Sequence, residues 1–393
     1  MLLPMYSVIL LAAITALTPI QAQDVIKGRV FEDINNNQLF DQADKALTGV
    51  SVSNLIHVVL TDSSGTFSIA PNEDSDIINI SLPNGYVGNW WGRHKSDLNE
   101  PILFPLYKSG AKSSFTFIHA SDTHLESRNV HRIRKLSRMV DSLGVDFVVI
   151  TGDLIRDALR VGEEESLELY QLFVDEISKF NVPVWCVPGN HEIFGIERHK
   201  SLVSSDHPLY GKKMYQHFLG PNYYSFNYGG VHFIGLDAIS YDDLWYYGDI
   251  SDVQLEWLKM DLANVTHGTP LVTFSHMALV SPGLGLGGYE EDGPGRTIIK
   301  VDGKYRFRHI IANAENVIAM LRDWPFPLAL AGHFHSAQSA LFETQGNQTL
   351  FSQTSAIRGP SSYFYGGMKV TSGFTIFVMK DGQVVSSQFV PLD

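Results

Sequence analysis

From Ser114 onward the chain alternates continuously apolar runs with single stretches of helical periodicity, and this alternation constrains the fold more than any other feature. "SFTFIHASD" reads as a strand, "VHRIRKLSRMVDSL" as an amphipathic helix, "VDFVVITGD" as a strand, "EEESLELYQLFVDEISKF" as a helix and "VPVWCVPGN" as a strand again. Strands that are apolar at nearly every residue must be covered on both faces, and strands joined through single helices run parallel. The reading is an α/β domain, a mostly parallel sheet flanked by helices. In such sheets ligands collect beyond the carboxyl ends of the strands, so the side chains at those ends carry the information about function.

The first strand ends in "SDTH", offering Asp122 and His124 two residues apart, a spacing that aims both the same way from an extended backbone. The second ends in "TGD", which delivers Asp153 behind a glycine that lets the chain turn sharply. The third ends in "PGNHE", with Asn190 and His191; "PLVTFSH" ends at His276, and "FPLALAGHFH" ends at His333 and His335. Each of these ends supplies Asp, Asn or His and none supplies a thiol, which is a hard-to-borderline oxygen and nitrogen ligand set. Cys186 is the only cysteine, so an intrachain disulfide is ruled out. A formal net charge of -13 argues against a nucleic-acid-binding face, because phosphate backbones require clustered Lys and Arg. An acidic protein that handles an anionic substrate needs concentrated local positive charge, and a metal would supply it.

D-x-H, G-D, G-N-H-[DE], H and G-H-x-H, in that order, make the stretch from 114 to 393 resemble the calcineurin-like metallophosphoesterases. The resemblance implies a four-layer αββα sandwich, two sheets packed face to face with helices outside, and a binuclear centre of divalent ions (Mn, Fe or Zn) at one edge. It assigns Asp122, His124 and His335 to one metal and Asn190, His276 and His333 to the other, with Asp153 bridging both. Two such ions, ~3.5–4 Å apart, lower the pKa of a bridging water so that hydroxide attacks a phosphoester near neutral pH. The catalytic residues implied are Asp153 and His191; His191 would lie near the substrate to stabilise the transition state or protonate the leaving oxygen, with Glu192 orienting it. Purple acid phosphatases carry a ligating tyrosine three residues after the bridging aspartate. Here "GDLIRD" has Arg156 instead, which looks like the phosphodiesterase-like branch. Arg156 either assists phosphate binding or pairs with Asp157 or a nearby helix. A phosphomonoesterase on the same site, a non-catalytic metal-binding scaffold and a surface-attachment protein are the other readings.

The remaining segments bear on organisation. Residues 1–22 resemble a signal peptide ending at Ala22, which predicts a secreted or periplasmic protein with no transmembrane segment after cleavage. Residues 23–105 show short alternating runs between Asn, Asp, Ser and Gly turns, the pattern of a small all-β sandwich, and residues 106–393 form the catalytic domain. The sandwich resembles modules that precede catalytic domains in exported bacterial proteins, where it would act as a spacer or make contact with the cell surface. Within it Asp33, Asn35, Asn37, Asp41 and Asp44 have the oxygen spacing of a calcium loop, but Gln38 stands at the usual glycine and the last ligand is Asp. A bound calcium ion and a solvated acidic turn both satisfy that pattern. Trp90 and Trp91 are expected at the packing between the two domains, and the glycine-rich stretch 281–296 is either a lid that brings Tyr289 or Arg296 to the substrate or a surface loop. Arg358 and Tyr365 are cleft candidates, and the tail is expected to form a β-hairpin closing the second sheet.

Overall fold

The computed structural model describes residues 25–88, 91–94, 101–287, 297–301, 303–344, 347–359 and 370–393. The expected signal segment, Trp90, Tyr289, Arg296 and Tyr365 lie outside the described residues. The strands Val184–Val187, Phe147–Thr151 and Ser114–Ala120 pair in parallel, and the antiparallel strands Gly373–Lys380 and Gln383–Pro391 extend the sheet beyond Ser114–Ala120. A second sheet runs Tyr224–Tyr228, Val231–Leu236, Leu271–Ser275, Leu328–Ala331, Asn347–Gln353 and Gln338–Thr344; its four inner strands are parallel and both outer ones antiparallel. The terminal hairpin therefore belongs to the first sheet and not, as expected, to the second.

Residue alternation explains why two sheets and two helix layers form. Phe115, Phe117, Phe147, Val149, Trp185 and Val187 point inward and meet Phe226, Phe233, Val272, Phe274, Leu328 and Leu330 of the other sheet in one apolar core. Aromatic rings dominate it: Trp185 stacks on Phe226 at 4.0 Å and Phe226 on Phe233 at 4.8 Å. The alternate residues Ile118, Ala120, Val148 and Ile150 point outward onto the helices Val130–Leu143 and Glu163–Ile177 through Ile133, Leu136, Val140, Leu169 and Phe173. On the far side Ile234, Leu236, Leu271 and Ala329 cover the helices Asp252–Leu262 and Ala314–Leu321 through Trp257, Leu258, Leu262, Val317 and Leu321. Three apolar seams thus separate four layers, the αββα sandwich.

The helices stop where their sequences say they should. Val130–Leu143 ends on Gly144, left-handed at φ 61°, whose N–H closes on the Val140 carbonyl. Asp252–Leu262 begins behind Ser251, whose side chain accepts the Gln254 N–H.

The N-terminal region is strand-rich. Ile26–Glu32 pairs in parallel with Ile102–Lys108 and antiparallel with Thr66–Ile69, and a second sheet orders Val58–Leu60, Ser51–Ser53, Ile77–Ile80 and Gly92–His94. Its core residues Val30, Val52, Ile80 and Phe104 are continuous with the seam between the two large sheets. Trp91 lies 5.1 Å from Trp185 and 4.4 Å from Tyr224, ring to ring, so it packs between the regions as expected. Trp257 donates to Ser53 Oγ at 3.0 Å, Tyr223 to the Leu55 carbonyl at 2.7 Å, and Ser225 to Ser81 Oγ at 3.0 Å. In the acidic loop, Asp33 accepts the N–H groups of Asn37 and Gln38, Asp41 those of the Asn35 and Asn37 amides, and Asp44 that of Ile34. Among the described residues no helix is long and apolar enough to cross a membrane.

Candidate metal centre

Parallel pairing brings the carboxyl ends of the strands together, and the chain turns abruptly at each. Asp122 (φ 52°), His124 (φ 37°), Asp153 (φ 48°), His333 (φ 69°) and His335 (φ 56°) all adopt left-handed backbone. Each such non-glycine residue costs roughly 1–3 kcal/mol and persists only where its surroundings over-determine it. Backbone hydrogen bonds do so here: Asp122 N–H donates to the Gly152 carbonyl, His124 N–H to the Asp153 carbonyl and Gly332 N–H to the His276 carbonyl. The glycines of the three motifs make room. A Cβ on Gly332 would lie 1.8 Å from Ser121 Oγ and 2.7 Å from Asp122 Oδ2, and one on Gly189 2.3 Å from Asp153 Oδ1. A Cβ on Gly152 would lie 2.7 Å from His276 Nδ1.

The result is two adjoining groups of donor atoms that share one carboxylate. Ligand atoms of Asp122, His124, Asp153 and His335 lie within 4.8 Å of one another, and so do those of Asp153, His276 and His333. Asp153 turns Oδ2 to His124 Nε2 at 3.5 Å and Oδ1 to His276 Nε2 at 3.3 Å. His124 Nε2 faces His335 Nε2 at 3.2 Å, and His276 Nε2 faces His333 Nδ1 at 3.0 Å. Asn190, only 3 % exposed, opens the helical turn Asn190–Glu192 after its strand. Asp122 Oδ1 lies 3.1 Å from His335 Nε2, and the buried Oδ1 of Asn190 makes no hydrogen bond. Converging ring nitrogens and carboxylate oxygens, with an amide oxygen left unpartnered, form an arrangement that cations satisfy. The buried Asp/His cluster fits a dimetal site.

Charge at Asp122, Asp153, His124 and His333 supports the fit. Burial would raise the Asp153 carboxyl, but His276 and His191 hold it well below the usual carboxylate range; Asp122 is likewise lowered against its burial by His335 and His276. Burial, reinforced by neighbouring histidines, drives His124 and His333 well below the usual imidazole value, so both rings are neutral, the form that binds metals. His276 goes the other way: burial opposes its charge, yet the Asp153 carboxylate raises it to about 9. Its Nδ1 meets the Thr151 carbonyl at 2.8 Å, which fixes the ring and aims Nε2 at the cluster.

His191 stands at the mouth, its ring 4.6 Å from that of His124 and its Nε2 3.9 Å from Asp153 Oδ2. Its Nδ1 is 2.7 Å from the Arg156 carbonyl, so this backbone oxygen, with Asp157 at 3.7 Å, orients the ring. Glu192 does not do so. Its carboxyl accepts the N–H groups of Leu154, Ile155 and Gly189 and splices the second and third strand ends together. Burial and the Asp153 charge push it up to about 8. Arg156 pairs with Glu165 of the neighbouring helix and lies 3.9 Å from Glu126, the helix-pairing alternative. Arg358 has an exposed side chain, and it is its backbone N–H that supports the site, donating to the Asp122 carbonyl. His309 was not anticipated: its Nδ1 lies 2.7 Å from His333 Nε2. It sits in "YRFRHII", beyond a hairpin rather than at the end of a core strand, and nothing in that stretch marks it.

A family model described as calcineurin-like phosphoesterase matches residues 115–337. The chain belongs to this family. It is accordingly a metal-dependent phosphoesterase whose Asp/His cluster fits a dimetal site. Among solved structures it is similar to a dimetal phosphatase from Danio rerio at 16% identity, covering 71% of this chain and 99% of that one with a TM-score of 0.45. It is also similar to GAP50, the anchor in the inner membrane complex of Plasmodium, at 14% identity, covering 72% of this chain and 86% of that one with a TM-score of 0.45. No curated protein matches the chain.

Proposed function

We propose that this calcineurin-like phosphoesterase is an exported phosphodiesterase in which Asp122, His124 and His335 would hold one divalent ion and Asn190, His276 and His333 the other, with Asp153 shared between the two groups. The observation that carries this reading is the single Asp153 carboxylate, with one oxygen turned to each buried donor group. Ions of Mn, Fe or Zn suit the donor set, and when bound they supply the positive charge that makes water nucleophilic near neutral pH and screens the phosphoryl oxygens.

The chain's own residues do the rest. Asp122 Oδ1 and the unpartnered Asn190 Oδ1 would complete the two donor groups, and the Thr151 carbonyl holds the His276 ring in place. His191 presents Nε2 to the mouth while the Arg156 carbonyl holds Nδ1, so Nε2 is the atom that stabilises the phosphoryl group and returns a proton to the leaving oxygen as the ester P–O bond breaks. Arg156 in place of a ligating tyrosine favours the phosphodiesterase-like branch over an iron–tyrosinate phosphatase. Export rests on the apolar segment 1–22, and N-terminal sequencing of the mature protein is expected to begin at Gln23.

Hydrolysis of bis(p-nitrophenyl) phosphate and p-nitrophenyl phosphate by metal-loaded wild type, Asp153→Ala and His191→Ala tests the reading. Diester turnover that Asp153→Ala abolishes and His191→Ala lowers by about 10²–10⁴-fold supports it. A monoester preference recasts the protein as a phosphatase on the same site, and no turnover with any of the three metals overturns the catalytic reading.

A further inference from the structure

Most arginines around the site are paired with carboxylates: Arg156 with Glu165, Arg160 with Asp157 and Glu197, Arg198 with Asp243. Arg306 and Arg308 differ. Among the described residues neither forms a carboxylate ion pair within 4.0 Å, although Asp249 lies close enough to Arg306 to feel its charge, and the Nε of each is buried without a hydrogen-bond partner. Both guanidinium groups lie instead on aromatic faces, Arg306 at 4.8 Å from the Tyr247 ring, and Arg308 at 4.6 Å from Tyr246 and 5.7 Å from Trp245. Stacking holds each planar cation in a fixed direction, and although Arg308 also lies within hydrogen-bonding reach of the Tyr246 phenol, the buried Nε of each guanidinium still lacks an acceptor. In a chain of net charge -13, two such cations two residues apart need an explanation.

Their position supplies one. The hairpin Ile298–Val301 and Lys304–Phe307 carries its pairing on through Arg308, whose N–H donates to the Thr297 carbonyl. Arg306 lies on the second of these strands and Arg308 just past its end, and both rest on rings of the strand Trp245–Gly248. The next residues tie the hairpin to the metal centre. His309 touches His333, and Ile310 bridges Ala278, two residues beyond His276. The buried Tyr246 phenol lies within electrostatic range of Arg308, Arg160 and Asp153 together.

We propose that Arg306 and Arg308 form an oxyanion subsite beside the metal centre that binds a second phosphoryl group of the substrate. The proposal rests on the phosphodiesterase reading and narrows its substrate class to diesters of pyrophosphate and related compounds with two phosphoryl groups. In these the reacting phosphorus is itself substituted on two oxygens, as in a simple diester. Guanidinium groups suit such a partner because their forked N–H donors match phosphate oxygens two at a time. Free inorganic phosphate has the same chemistry, so the test must separate the two sources.

The experiment compares kcat/KM of the metal-loaded full-length enzyme for a P1,P2-diester of pyrophosphate and for bis(p-nitrophenyl) phosphate, in wild type, Arg306→Gln, Arg308→Gln and Arg308→Lys, with thermal melts as the check on folding. The wild type is expected to favour the pyrophosphate diester, and each Gln variant to lower the ratio of the two kcat/KM values about tenfold or more. Arg308→Lys, which keeps the charge but not the fork, is expected to fall between. A ratio unchanged in all variants overturns the subsite. Inorganic phosphate that inhibits wild type and Gln variants equally agrees with a subsite for the substrate's own phosphoryl group; inhibition lost in the Gln variants with an unchanged substrate ratio overturns the proposal in favour of free phosphate. If the wild type hydrolyses neither substrate, the phosphodiesterase reading fails on its own. Calorimetric titration with inorganic pyrophosphate then still decides the subsite, since equal affinity in wild type and the Arg306→Gln variant overturns it.

Discussion

Of the eleven non-glycine residues with positive φ among the described residues, five gather at one centre, and each of the five offers a ligand atom to the donor cluster. A glycine there would relieve the backbone and remove a donor, so the strain is retained and the neighbouring glycines absorb the crowding. Gly332→Ala is the sharpest test, because its Cβ would meet Ser121 Oγ and Asp122 Oδ2 in a buried place that cannot yield. The variant is expected to lose most of its bound metal and at least tenfold of its turnover while keeping its secondary structure, as read by elemental analysis, kinetics and circular dichroism. Away from the site, Glu176 is held by hydrogen bonds from Arg134 and Lys179 that lower its carboxyl to about 2. Its folded pKa is below its unfolded value of about 4.3, so the pairing stabilises above that pH and its contribution fades as pH falls toward 2. Glu176→Gln should therefore be less stable than wild type at pH 7 in urea melts, with the gap closing below pH 4; a constant gap would assign the loss to packing. At this scale the sequence was readable wherever a residue sat beside a glycine at a strand end, as Asp153 and His333 do. It was silent on His309 and misleading on Glu192, because chain distance does not reveal that a hairpin returns to His333 or that Glu192 reaches back to Leu154.

Elements were legible through periodicity. Phe115 and Phe117 against Ile118 and Ala120 show a strand covered on both faces, and that pattern alone implies layers on either side. Which edge a late hairpin joins is a tertiary matter: Gly373–Lys380 pairs with Ser114–Ala120 over six residue pairs although more than two hundred residues separate them, and nothing local to the tail encodes it. The N-terminal strands raise a similar question. Their pattern identified them as a separate β region, but a spacer would not share an apolar core with the catalytic sheets. Trp91 is one of the residues that join the two, and Trp91→Ala is expected to cost about 1–3 kcal/mol by removing its contacts with Trp185 and Tyr224. An unchanged melting temperature would show that the two regions are merely adjacent.

For the whole molecule, the continuity of that core means that catalysis and the N-terminal region are not independent. Deleting residues 25–108 would uncover Trp185, Tyr224 and Trp257 and strip hydrogen bonds from Tyr223 and Ser225. The truncated chain should melt well below wild type or fail to fold; wild-type stability and turnover would identify the region as an attachment module alone. The reading of the Asp/His cluster as a dimetal site rests on one premise, that Asp153 is shared by two cation sites in one buried cluster. Elemental analysis of purified wild type and Asp153→Ala, after loading with Mn, Fe or Zn and removal of free ion, tests that premise most directly. Two ions per wild-type chain and one or none in the variant are the expected result. One ion or fewer in the wild type, or two in both proteins, would contradict it.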